Sequence, residues 1–508
     1  MVIKVIMLVI FFSIMVLIGI YARNSAATVN GFVLGGRSVG PWLSAFAYGT
    51  SYFSAVVFVG YAGQFGWKYG IASIWIGIGN ALIGSLLAWI VLGRRTRIMT
   101  QHLSSKTMPD FFGTRYKSKA LKITASMIAF IFLVPYTSSI YSGLSRLFGM
   151  AFNVPYSVCV LLMAAFTAVY VILGGYVATA INDFIQGIIM LIGIVAVVYA
   201  VLHGQGGFME AIRKMSEIPS DIPATLGQQG AFTSFFGTDP VNLLGVVILT
   251  SLGTWGLPQM IHKFYAIRNE KAIRTGTIIS TVFAIVVSGG CYFLGGFGRL
   301  FDSTELYKAN GTVIYDAIIP HMLSTLSDAM IGIVVVLVLS ASMSTLSSLV
   351  LTSSSTLTLD FLKDNFIKKM SDKRQLVTMQ VLIVFFIVVS VVLALNPPTF
   401  IAQLMGISWG ALAGAFLAPF LYGLYWKGVT RASVWASFAA GVGITVLNLF
   451  FHFIASPINA GAAAMVAGLV IVPAVSLVTP KMDEKDTAEI FSCYKEKVTI
   501  KRTESLED

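Results

Sequence analysis

Ala47-Tyr48-Gly49-Thr50-Ser51-Tyr52-Phe53-Ser54 and Thr250-Ser251-Leu252-Gly253-Thr254-Trp255-Gly256-Leu257-Pro258 are the two stretches whose reading decides the fold. Each lies in an apolar segment long enough for a membrane helix. Each mixes glycine with hydroxyl residues, and the second adds a proline. Glycine weakens a helix, and proline removes a backbone donor and clashes with the preceding turn. At bilayer depth, unwound backbone is tolerated only where it is buried in protein or lines a cavity. Small residues can also serve close helix packing. Because the two stretches open two corresponding groups of spans, they predict a pair of broken helices.

The surrounding composition sets the class. Of 508 residues, 56% are hydrophobic and only 11% charged, against about 25% charged in soluble domains. So little charge cannot cover a water-soluble protein of this size, which leaves an all-α polytopic membrane protein. A crossing helix needs about 20 mainly apolar residues, and about thirteen such stretches are legible. The first group covers 41–66, 70–93, 123–149, 155–173 and 178–202, a first repeat over 41–202. The second covers 239–261, 275–297, 318–356, 376–395 and 400–424, a second repeat over 239–424. A leading helix at 2–22 and two trailing helices at 431–454 and 459–479 (together 431–479) complete a transmembrane domain over 1–480. Residues 481–508 form a short polar tail. An odd number of helices per group inverts one group relative to the other. That is a five-plus-five inverted-repeat transporter core with extra helices, and its site lies where the broken helices meet.

Charge placement gives the orientation. The formal net charge is +12. Of the 34 Lys and Arg, 27 fall in 23–40, 94–122, 262–274, 362–374, 425–431 and the tail. That asymmetry places these loops in the cytoplasm, the N-terminus outside and the C-terminus inside, in the cell membrane. The excess charge is thereby explained by topology, and no nucleic-acid partner is implied. The three cysteines are scattered, and there is no HExxH, Gly-rich nucleotide loop or Cys/His cluster. An enzyme, an organic cofactor and an ATP-driven transporter are not expected.

Between 340 and 356, eleven of seventeen residues carry a hydroxyl. At about 100° per residue, positions 341, 344, 345, 348 and 352 form one stripe, with Ser347 beside Ser344 on the adjoining face. Neutral hard oxygens suit a small hard cation that must bind and leave. Interhelical hydrogen bonding is the bland alternative. Asp183 adds a carboxylate near the start of an apolar span, where acidic groups mark ion or proton routes unless they stay in water or cap the helix. Asp328, near the outer end of its span, reads as structural or interfacial.

Four runs then carry a family resemblance over nearly the whole chain: Leu34-Gly35-Gly36-Arg37-Ser38, Tyr170 to Tyr176 followed by Asn182-Asp183 and Gln186-Gly187, Ser342 to Ser348, and Trp426 to Ala432. The chain resembles the sodium:solute symporter family, in its proline and pantothenate branch. The resemblance implies a main sodium site of carbonyls from Thr50, Phe53 and Ala341 with hydroxyls of Ser344 and Thr345. It implies a second sodium site, present in some members, at Asp183, Ser344, Ser347 and Ser348. Substrate contacts implied in the same way are Ser51, Tyr52, Tyr136, Ser251, Thr254 and Trp255. Proline-type members have an acidic residue where Tyr52 stands, and aromatics where Thr250 and Thr254 stand. Pantothenate-type members tend to have an aromatic at Tyr52.

The expected function is therefore sodium-coupled import of a small organic solute, an amino acid or carboxylate such as a proline- or pantothenate-like one, by alternating access. Na+ is co-transported, Gly49 and Gly253 are flex points, and the chain is competent as a monomer. A proton-coupled symporter of the same fold and an ion channel are the alternatives, with a membrane sensor or enzyme behind them.

Overall fold

The computed structural model describes residues 2–363, 366–367, 370–397, 399 and 401–494. Its main helices are α1 (Val2–Ala22), α2 (Pro41–Tyr52), α3 (Ala62–Tyr69), α4 (residues 74–102), α5 (Lys119–Phe152) and α6 (Tyr156–Gly204). They continue as α7 (Pro240–Leu252), α8 (Pro258–Tyr265), α9 (Glu270–Gly295), α10 (Tyr315–Ser324), α11 (Asp328–Thr356) and α12 (Asp372–Leu395). The last are α13 (Ile401–Tyr425), α14 (Arg431–Phe451) and α15 (Pro457–Val478).

Among the described residues, ten helical stretches are long and apolar enough to cross a membrane, or up to eleven with the bent pair of α7 and α8. The sequence reading expects thirteen, and the difference has a physical source. Helix α6 has 49 residues, about 74 Å at a rise of 1.5 Å per residue, far more than the roughly 30 Å of hydrocarbon. Gly175 (φ 54°, ψ −149°) breaks it. The stretch 56–102 likewise contains Gly70 (φ 60°, ψ −139°). These left-handed positions favour glycine, and they fall where the sequence reading ends one span and begins the next. Helix α2, with 12 residues, is too short to cross alone. A second difference lies at 318–356, read as one span. There α10 ends at Ser324, and the Ser327 side chain caps the start of α11 by accepting from the Met330 N–H.

Helix α11 is central. It packs against α6, α5, α1, α12 and α2, and 83% of its most apolar window is buried, against 22% for α1 at the periphery. Helix α13 packs on α5, α14 and α15. Both interruptions are present. Helix α2 ends at Tyr52 and Phe53 is extended (φ −104°, ψ 127°). The freed N–H of Ala55 donates to Ser342 Oγ (3.0 Å) and that of Val56 to Ser54 Oγ (3.2 Å), so the unwound backbone keeps its hydrogen bonds. Helix α7 passes through a tight turn at Gly253–Trp255, Leu257 is extended (φ −83°, ψ 122°), and Pro258 opens α8.

Gly49 and Gly253 are not where the chain unwinds. Gly49 lies inside α2 and Gly253 keeps helical angles (φ −51°, ψ −40°). A Cβ on them would meet the rings of Phe283 at 2.7 Å and Trp409 at 2.6 Å. Both are close-packing positions, and the breaks fall at Phe53–Ser54 and at Gly256–Leu257.

Several basic residues assigned to loops are internal. Arg37, Arg97, Arg115 and Lys263 are all buried. Arg115 donates to the carbonyls of Gly423 (2.9 Å) and Trp426 (3.1 Å), orphan acceptors at a helix end. The start of the tail is helical over Glu484–Ser492 and docks on the basic 94–117 segment. Lys117 pairs with Asp486 at 2.6 Å, and Tyr494 Oη donates to the Arg95 carbonyl at 3.2 Å. The rest of the tail, 495–508, lies outside the described residues.

Candidate functional site

The break in α2 faces the middle of α11, and five oxygens converge there. Ser344 Oγ lies 2.9 Å from the Thr50 carbonyl oxygen and 3.1 Å from that of Ala341. Thr345 Oγ1 lies 3.4 Å from Thr50 O, 3.2 Å from Phe53 O and 3.1 Å from Ala341 O. All five residues are buried. Three carbonyls share only two hydroxyl protons, so lone pairs are in surplus. Thr50 also belongs to the last turn of α2, whose C-terminal end carries the negative pole of the helix dipole. The cluster offers neutral hard oxygens in a negative potential, which is the chemistry of a small monovalent cation.

The second set is only partly assembled. Ser347 Oγ and Ser348 Oγ both donate to the Ser344 carbonyl, at 2.8 and 3.1 Å, and Ser348 Oγ also meets Ser51 Oγ at 2.8 Å. Asp183, fully buried on α6, has a different partner: Lys263 Nζ on α8, 3.4 Å from Oδ2. Asp183 Oδ1 has no hydrogen-bond partner among the described residues. The sequence reading ends the second broken span at 261 and so places Lys263 in a cytoplasmic loop, whereas α8 continues to Tyr265. The signal that could have found it is Pro258: a helix opening there has room for two turns and carries His262 and Lys263 with it.

Of the other hydroxyls in the Ser-rich run, Ser354 and Ser355 bond only the carbonyls one turn back, Leu351 and Thr352. Those two fit the bland reading. Ser342, which holds the first break, was not singled out by the sequence.

The six substrate candidates separate into two sets and a linker. Tyr52 and Tyr136 converge on the indole of Trp409, with ring centroids 5.8 Å away in both cases. Tyr52 Oη donates to the Thr250 carbonyl at 2.5 Å and so joins the two broken helices. Tyr136 Oη and Trp409 Nε1 are buried and make no hydrogen bond of good geometry among the described residues, with Ser54 and Trp409 the polar neighbours of Tyr136 Oη. Ser251, Thr254 and Trp255 instead turn to α4. They donate to Asn80 Oδ1 (3.3 Å), Gly84 O (3.1 Å) and Ile83 O (3.0 Å) respectively. Ser51 links to Ser348. Trp409 and Asn80 belong to none of the motifs legible in the sequence, and only packing brings them to the site.

Two regions flank this centre. A cavity of about 620 Å³ is lined by residues including Ser142, Arg146, Tyr156, Lys308, Tyr315 and Asp316. Burial raises the Asp316 pKa above the usual carboxylate range, with Arg146 opposing the shift. An acid raised in this way keeps its proton in the folded chain while the unfolded chain releases it. Its contribution to stability therefore falls as pH rises through the ordinary carboxylate range. Asp316→Asn is expected to raise the Tm relative to wild type at about pH 7 and to do so less near pH 4. Melting curves at the two pH values check this, and a gap that widens on acidification would contradict it.

On the other flank, Val39 pairs with Ile267 as a parallel bridge. Arg37 donates to the carbonyls of Ser105 (2.7 Å), Tyr265 (3.3 Å) and Thr100 (3.4 Å). Burial pulls the Arg37 pKa down to about 10, so it stays charged at neutral pH. These contacts stitch the leading end of α2 to the end of α8.

Comparison with known proteins adds to this geometry. The family model described as "Sodium:solute symporter family" matches residues 32–441. The chain is 29% identical over 442 residues to the osmoregulated proline transporter OpuE of Bacillus subtilis (strain 168), covering 85% of each. It is 28% identical over 510 residues to a sodium/proline symporter of Staphylococcus aureus, covering 95% of this chain and 93% of that one. Among solved structures, a Na+-coupled sialic acid symporter in a substrate-bound outward-open state superposes with a TM-score of 0.74. The identity is 15%, over 95% of this chain and 99% of that one. MHP1, a nucleobase-cation-symport-1 family transporter, gives a TM-score of 0.52 at 14% identity, over 90% and 97%. At these identities the structural likeness is one of fold.

Proposed function

The chain belongs to the sodium:solute symporter family, and from that premise we propose that it imports a small organic solute together with Na+ by alternating access. The observation that carries the reading is the convergence of Thr50, Phe53, Ala341, Ser344 and Thr345 at the break in α2. Na+ is the co-transported substrate there. Hard cations of similar size hold oxygens at about 2.3–2.6 Å, which spaces oxygens at right angles by roughly 3.3–3.7 Å. The five oxygens need open by only a few tenths of an ångström. The two hydroxyls then turn lone pairs inward, and the ion ties α2 to α11.

The solute contacts Tyr52, Tyr136 and Trp409, whose packed rings part to admit it. Aromatic faces suit a compact apolar body, and Tyr136 Oη and Trp409 Nε1, which make no hydrogen bond of good geometry among the described residues, suit its polar end. Two relatives are proline transporters, so L-proline heads the ligands to test. Tyr52 stands where proline-type members carry an acid, so pantothenate follows. Ser51 joins the solute site to α11 through Ser348. Ser251, Thr254 and Trp255 act on it indirectly, by holding the second break to α4. The cavity lined by Arg146 and Lys308 opens outward under the positive-inside orientation, with the N-terminus outside and the C-terminus in the cytoplasm. The Arg37 stitching closes the opposite, cytoplasmic side. The two repeats, 41–202 and 239–424, rock about this centre.

Reciprocal coupling is required: sodium must tighten solute and solute must tighten sodium. Thermal-shift titration of the purified protein with L-proline and pantothenate, in sodium and in choline at fixed pH, tests it. Stabilisation by a solute that choline supports equally well would favour a proton-coupled cycle and overturn the reading.

Tyr136→Phe removes a hydroxyl that makes no hydrogen bond of good geometry, with only Ser54 and Trp409 beside it, so the Tm is expected to change little. Solute affinity is expected to fall by the value of one hydrogen bond, roughly 0.5–1.5 kcal/mol or about 2- to 13-fold. Trp409→Ala is expected to cost about 3–5 kcal/mol of stability as well.

A further inference from the structure

Lys263 is a charged group that the proposed sodium cycle does not use. It is 2% exposed, with Nζ 3.4 Å from Asp183 Oδ2 and 5.2 Å from the ring centroid of Tyr176. Among the described residues it forms the only ion pair in which both side chains are less than 5% exposed. An ionised carboxylate at this depth needs a counter-charge, and here the counter-charge is covalently part of the chain. Asp183 Oδ1 and the amide oxygen of neighbouring Asn182 lack partners among the described residues, so two acceptor oxygens are spare there.

No hydroxyl that could complete a sodium shell around Asp183 bonds its carboxylate among the described residues, where Lys263 is its partner. Ser347 and Ser348 donate to the Ser344 carbonyl. A sodium ion on the same carboxylate would sit a few ångströms from the ammonium, and like charges at that range repel strongly where water is excluded.

We propose that Lys263 is a tethered cation that takes the electrostatic place of a second sodium at Asp183, so that the chain binds one Na+ per cycle. The inference rests on the sodium-coupled reading, which assigns that single ion to the Thr50, Phe53, Ala341, Ser344 and Thr345 oxygens. The division of labour is physical. The mobile ion ties α2 to α11 and leaves each cycle. The fixed ammonium ties α8 to α6, and so holds the second broken helix against the helix that carries Asp183.

The test is equilibrium binding of radiolabelled Na+ to the purified full-length protein, with choline holding the ionic strength constant. Wild type is expected to saturate at one ion per chain, and so is Lys263→Arg, which keeps the charge. Lys263→Met empties the cationic place beside an intact carboxylate and is expected to saturate at two. Lys263→Met with Asp183→Asn is expected to return to one. Two ions on wild type, or one on a folded Lys263→Met, overturns the assignment of Lys263 and leaves sodium coupling standing. No ion on wild type overturns sodium coupling and this inference together. If Lys263→Met does not fold, Lys263→Gln, which keeps a polar side chain without the charge, replaces it: two ions are expected, and one overturns the assignment.

Discussion

Replacing Ser344 and Thr345 together with alanine is expected to abolish sodium-dependent stabilisation and uptake. Their hydroxyls supply two of the five converging oxygens and the only side-chain donors to the Thr50 and Phe53 carbonyls among the described residues. A polar contact to a charged group is worth about 1.5–3 kcal/mol. Losing two weakens sodium binding by roughly 3–6 kcal/mol, a factor of about 10²–10⁴. The sodium-free protein also loses stability, because buried carbonyls are left without donors. The control is therefore Ser354→Ala with Ser355→Ala, two hydroxyls of the same helix that bond only their own preceding turn. The control pair is expected to keep the wild-type sodium response in thermal shift and in proteoliposome uptake. If the Ser344/Thr345 pair keeps it too, the ion site is elsewhere.

The second large effect concerns backbone contact. A Cβ on Gly66 of α3 would lie 1.9 Å from the Gly295 carbonyl oxygen and 2.0 Å from its carbon, at the end of α9. Those are backbone atoms, so no side chain can swing aside. Gly66→Ala must push α3 from α9, forfeiting packing and straining both helices. Overpacking usually costs about 1–3 kcal/mol, occasionally more, and a clash into backbone belongs at the upper end. The variant is expected to lose most folded protein on detergent extraction.

Gly289 on the same helix α9 makes the comparison. A Cβ there meets no atom within 4 Å, and alanine suits a helix interior better than glycine by roughly 0.5–1 kcal/mol. Gly289→Ala is expected to be neutral or slightly stabilising. Size-exclusion recovery and melting temperature of the two variants check the pair. Equal recovery would mean that the α3–α9 approach is looser than described.

These expectations differ in how far the residues alone announce them. The membrane class, the two interruptions and the hydroxyl-rich helix are legible because they are local. Transfer free energy sums over twenty neighbours, and helix propensity belongs to Gly, Pro and Ser wherever they stand. The five oxygens proposed for the main ion follow from a family likeness, and the fold brings all five within hydrogen-bonding distance. Where one long helical stretch is divided into two crossings, at Gly70 and Gly175, and where Ser327 caps α11 so that 318–356 is not one helix, single dihedral angles redirect the chain. From the sequence Gly49 and Gly253 read as flex points, because a missing side chain is equally a place to bend and a place to be packed against. Phe283 and Trp409, far away along the chain, make them the latter.

What the sequence by itself determined, then, is a helical membrane transporter with two broken spans and a polar helix to face them. Only the tertiary structure decided that Ser342 holds the first break, that Trp409 gathers Tyr52 and Tyr136, and that Lys263 meets Asp183 across 80 residues. The physical reason is that burial and propensity act residue by residue. Which buried charge finds which counter-charge depends on how helices pack, and that geometry is a property of the whole chain.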